Sequence, residues 1–69
     1  MKKTFYVETL RDREIVNYFT YFADAKKALV TFPPNEARIV RLSGPYYGEG
    51  RHVYEMTYDG KKFKRKALS

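Results

Sequence analysis

The dipeptide Asp59-Gly60 constrains this chain more than any other pair of residues. It stands between "RHVYEMTY" (Arg51–Tyr58) and "KKFKRKAL" (Lys61–Leu68), two runs that read as strands. Asp-Gly between such runs predicts a two-residue type I′ hairpin turn, in which both residues take positive φ. That turn fixes a pairing. Tyr58 should face Lys61, Met56 should face Phe63, Tyr54 should face Arg65, and His52 should face Ala67. On the other face Thr57 should meet Lys62, Glu55 should meet Lys64, and Val53 should meet Lys66. Met56–Phe63 is then an apolar cross-strand pair and Glu55–Lys64 an exposed ion pair. The lysine face is expected to be wet.

The rest of the chain follows from periodicity. "TFYVETL" (Thr4–Leu10) is rich in aromatic and β-branched residues and predicts a strand. Arg11–Arg13 form a polar break, and "EIVNYFTYF" (Glu14–Phe22) predicts a second strand. That strand carries aromatics at both parities. Asn17 favours the Val16, Tyr18, Thr20 and Phe22 face as core, leaving Phe19 and Tyr21 outside. The period then changes. "ADAKKALVTF" places Ala25, Ala28, Leu29 and Phe32 on one helical stripe. Asp24 is the expected N-cap, Lys26 and Lys27 fall on the solvent side, and Pro33-Pro34 stops the helix. "ARIVRLS" (Ala37–Ser43) predicts a third strand, and "GPYYGEG" (Gly44–Gly50) predicts a loop. The expected fold class is α+β: one domain over residues 1–69, a mainly antiparallel sheet of ββαβ plus a C-terminal hairpin, with one helix on one face.

Length and composition limit the chemistry. At 69 residues the core is small, and stability is marginal unless packing is efficient or an oligomer helps. Seven tyrosines and five phenylalanines supply large buried areas per residue. No cysteine is present, so disulfides and thiolate metal sites are excluded, and a lone histidine, His52, cannot build a multi-histidine site. Neither Ser43 nor Ser69 stands in a nucleophile elbow, and the carboxylates are scattered. The sequence therefore predicts no enzyme activity, no metal and no organic cofactor. Thr4, Glu8, Arg11 and Asp12 interrupt any apolar run after Lys2-Lys3, which predicts a cytoplasmic protein without a membrane partner.

Fourteen Lys and Arg against eight Asp and Glu give a formal charge of +6, which favours acidic partners. The cations concentrate in "KKFKRK" (Lys61–Lys66). On one strand Lys62, Lys64 and Lys66 would project from one face at about 7 Å intervals, comparable with successive phosphates of a DNA strand. The same lysines would also protect a sheet edge. Tyr46 and Tyr47, beside Arg51, offer stacking surfaces or hot-spot anchors. The expected binding residues are Tyr46, Tyr47, Arg51, Lys62, Lys64, Arg65 and Lys66. The expected partner is an acidic protein surface or nucleoprotein complex, with nucleic acid as the alternative and the chain itself monomeric or homodimeric.

Lys3–Ser43 resembles small phage-encoded proteins that take over host machinery, including the phage inhibitor of bacterial RNA polymerase. The shared outline is "FYVE", an aromatic second strand, the helix "ADAKKAL" and "ARIVRLS". The resemblance implies a non-enzymatic regulator or inhibitor that binds one host complex. "FYVETLRDREIVNYFTYFADAKKAL" also resembles arm-type DNA-binding domains, with two strands before the helix where those domains usually place three.

Overall fold

The computed structural model describes residues 4–43 and 51–68. Among these residues, five antiparallel strands and one helix make an α+β domain with a mainly sheet core. The strands are β1 (Phe5–Thr9), β2 (Ile15–Phe19), β3 (Ala37–Leu42), β4 (His52–Tyr58) and β5 (Phe63–Ala67); α1 spans Phe22–Leu29. Strand order is β2-β1-β3-β4-β5, so β2 and β5 are the edges.

Strand alternation sends residues to two faces. Phe5, Val7, Ala37 and Ile39 point to the helix and bury against Ala25 and Leu29. Phe22 and Ala28 flank them, so Ala25, Ala28 and Leu29 pack as their spacing predicts; the helix ends at Leu29, short of Pro33-Pro34, and Phe32 reaches the core from beyond it. The other face has its own apolar cluster, Tyr6, Val40 and Leu42, with Tyr18 against it. Val7, Ile39 and Val40 are fully buried, which puts the centre of the core on β1 and β3. These two strands have sheet neighbours on both sides, and their runs are correspondingly apolar.

Four local expectations are corrected. The first concerns β2: Phe19 pairs with Phe5 and packs into the helix-side core, while Tyr18 pairs with Tyr6 on the opposite face. Asn17 had suggested the reverse, but it lies at an edge where a polar residue is exposed at either parity. Tyr21 is outside the strand and 68% exposed. The second concerns the helix start: Tyr21 is the N-cap, without a side-chain cap bond, and Asp24 sits in the first turn. A carboxylate there still complements the positive end of the helix. The third concerns Lys26, whose ammonium lies 4.4 Å from the ring centroid of Phe63 rather than in open solvent.

The fourth is the hairpin register. Tyr58 pairs with Phe63, Thr57 with Lys64, Met56 with Arg65, Glu55 with Lys66 and Tyr54 with Ala67. His52 faces Leu42 on β3 and not Ala67. The expected pairs Met56–Phe63 and Glu55–Lys64 therefore do not form. The turn is centred one residue later, on Gly60-Lys61, and closed by the Asp59 amide donating to the Lys62 carbonyl at 3.2 Å. The cause is the Asp59 side chain. Its Oδ1 accepts the amides of Lys61 at 2.9 Å and Lys62 at 2.8 Å, an Asx-type turn that extends the loop. Gly60 supplies the positive φ of +97°. The register moves by two residues, so every side chain keeps its face and changes its partner.

The two sheet edges are blunted differently. β5 carries Lys64, Arg65 and Lys66, all exposed. β2 has no charged residue, but its pairing with β1 skips Val16 in a bulge. In addition, the Tyr18 amide donates to Asn17 Oδ1 at 2.8 Å, so a side chain occupies the middle of that edge.

Candidate functional site

Charge sorts across the sheet in a way the sequence does not display. Both strand carboxylates, Glu8 and Glu55, lie on the face away from the helix, and Arg38 neutralises both there. Arg38 Nε donates to Glu8 Oε1 at 2.5 Å, and its Nη1 donates to Glu55 Oε2 at 2.6 Å. The more exposed Arg13 adds a 3.4 Å contact to Glu8. Burial alone disfavours the Arg38 charge, but the hydrogen bonds it donates to Glu55 and Glu8 more than compensate, so its pKa is raised. The Tyr6 phenol is also raised, first by burial and then by Glu8, with Arg38 opposing. This cluster is internally satisfied and presents no free charge.

Five of the other cations gather at β5 and its turn. Lys61 and Lys62 are in the turn, Lys64 and Lys66 point away from the helix side, and Arg65 points toward it. Lys62 therefore does not continue the strand row, which reduces to Lys64 and Lys66. The nearest carboxylate is Asp59, which is held by two amides and lies 3.6 Å from Lys64 Nζ. Its pKa is lowered, first by the Lys62 amide and then by that of Lys61. Arg51 precedes β4, is exposed, and donates its amide to Ser43 Oγ at 3.2 Å. Tyr46 and Tyr47 lie outside the described residues.

The helix side of β4 and β5 joins Arg65, an expected binding residue, to Tyr54, Met56, Tyr58 and Phe63, which the sequence places on the packing face without a binding role. The helix packs chiefly on β1, β2 and β3, and reaches β5 through Lys26 over Phe63. There Tyr54, Met56, Tyr58 and Phe63 are half-buried at the margin of the core. The guanidinium of Arg65 lies 5.1 Å over Tyr54, and that of Arg41 lies 5.4 Å over Phe5. The rings of Tyr58 and Phe63 lie 4.7 Å apart, tilted by 33°. The available signal was parity: Arg41, Tyr54, Met56, Tyr58, Phe63 and Arg65 share a face once β3 is paired with β4.

His52 sits edge-on to Tyr6 at 5.9 Å. Among the described residues no three of His, Asp and Glu group as metal ligands, and no helix is long and apolar enough to cross a membrane. No protein-family model, curated protein or solved structure matches this chain.

Proposed function

We propose that this chain is a small, non-enzymatic cytoplasmic binding protein that docks through its β4–β5 hairpin on an anionic macromolecular surface. The carrying observation is the one-sided excess of positive charge. Lys61, Lys62, Lys64, Arg65 and Lys66 wrap one sheet edge against the single carboxylate of Asp59, while the β2 edge is uncharged. Such a gradient orients the approach to an acidic target and raises its on-rate. The acidic target of this reading is a host protein or nucleoprotein complex. The outline resemblance of Lys3–Ser43 to phage takeover proteins supports a regulatory or inhibitory role.

A second reading, nucleic acid held by the lysine face, rests on Lys64 and Lys66 sharing that face two residues apart, about 7 Å. Capture from lysate with and without nuclease separates the two. A protein retained after nuclease supports the first reading, and loss of all material supports the second. A captured set unchanged by reversing Lys64, Arg65 and Lys66 to Glu contradicts both.

A further inference from the structure

The helix side of β4 and β5 differs in kind from the lysine face behind it. Arg41 on β3 stands directly opposite Tyr54 on β4, and Arg65 reaches back over the same ring from β5. Two neighbouring rings thus each carry a guanidinium, Arg65 over Tyr54 and Arg41 over Phe5. Beside them, Lys26 descends from the helix onto Phe63, and the Phe63 ring lies tilted against Tyr58. No carboxylate occupies a strand position on this side, because Glu8 and Glu55 are both turned to the far face and bound there by Arg38. Among the described residues this side sets positive charge over aromatic rings with no strand carboxylate beside it.

That combination fits one partner chemistry best. An acidic protein segment would use the charges but leave the ring planes idle. A duplex would present phosphates and keep its bases stacked inside. An unpaired strand offers both phosphates and free base planes, and single strands are recognised by stacking on aromatic rings and on arginine guanidinium planes. A guanidinium fixed over a ring keeps its outer plane open and points its N–H donors sideways, where a phosphate can take them.

We propose that this surface, centred on Arg41, Tyr54 and Arg65 with Lys26, Tyr58 and Phe63 around it, binds single-stranded nucleic acid. The proposal rests on the anionic-surface reading above and specifies it. Arg65 and Arg41 hold phosphates and stack on bases, while Lys26 swings off Phe63 to expose that ring. Lys64 and Lys66, on the opposite face, contribute only long-range attraction.

The test is fluorescence anisotropy with three labelled probes: oligothymidylate, a duplex of equal length, and polyglutamate. The wild type should bind oligothymidylate about tenfold more tightly than either other probe. Arg65→Lys, which keeps the charge and loses the plane, should weaken that binding severalfold with an unchanged melting temperature. Arg41→Ala/Arg65→Ala should weaken it by at least about tenfold. Lys64→Ala/Lys66→Ala should instead lower the affinity for all three probes and flatten the salt slope. Equal affinity for the three probes, or an Arg65→Lys variant that binds like the parent, overturns the single-strand assignment and leaves the anionic-surface reading standing. Binding to none of them overturns both.

Discussion

Glu8 and Arg38 are thirty residues apart in the chain and directly opposite each other on β1 and β3, where the arginine donates to the carboxylate at 2.5 Å. Arg38 then spans to Glu55 on β4, so one guanidinium ties the three central strands together. Removing it strands two carboxylates, one of them only 8% exposed. Arg38→Ala should cost about 3 kcal/mol. Replacing Glu8, Arg38 and Glu55 together by apolar residues of similar volume should be close to neutral. Urea unfolding of both variants checks this, and an Arg38→Ala protein as stable as the parent would refute the network's role.

Gly60 should resist substitution. An added Cβ would lie 3.2 Å from Pro34 Cγ, at a backbone φ of +97°. Gly60→Ala should destabilise by about 1–2 kcal/mol from the left-handed conformation alone. For a domain of this size that lowers the melting temperature by roughly 4–16 °C. Thermal unfolding followed by circular dichroism reads it directly.

Asp59 and Tyr6 set opposite ends of the pH profile. The Asp59 pKa is depressed below its ordinary 3.8, so its stabilising effect is complete above that value and disappears as pH falls through the folded-state pKa. Asp59→Asn should flatten the acid limb of the stability curve. The Tyr6 pKa is raised above 10.0, so its stabilising effect is complete below that value and is lost as pH rises through the folded-state pKa. Ultraviolet titration should show a tyrosine that ionises late, and Tyr6→Phe should remove that late step.

The β2 edge is protected by Asn17 and a bulge where β5 uses lysine. Asn17→Val removes the acceptor from the Tyr18 amide and raises strand propensity. Sedimentation should show concentration-dependent self-association of that variant, with the wild type unchanged over the same range.

The sequence carried the strand and helix positions well, because aromatic and β-branched runs and the Ala25–Leu29 stripe state their own periods. Partnerships across strands were harder to read. Asp59-Gly60 located the hairpin, yet the register depended on the Asp59 carboxylate capturing two amides, which no dipeptide preference records. The β2 face was undecided because Tyr18 and Phe19 both bury, one on each side of the sheet. The Glu8–Arg38–Glu55 network requires two strand registers at once. The Arg65–Tyr54 pair needs a diagonal reach between rows. In the expected binding set, Arg65 separates from Lys64 and Lys66 by a simple parity argument, while Lys62 leaves the row only because the turn is longer.

Binding depends on where the charge sits, beyond its sum. Two triple variants separate these: Lys64, Arg65 and Lys66 to Gln on the hairpin, and Arg11, Arg13 and Lys27 to Gln away from it. Each removes three positive charges from the same formal +6. The measurement is retention on immobilised polyglutamate, single-stranded DNA and duplex DNA over a salt gradient. The hairpin variant should elute far earlier than the parent on whichever polymer the parent binds most tightly, while the distal variant should elute near the parent. Equal losses in the two variants would contradict this.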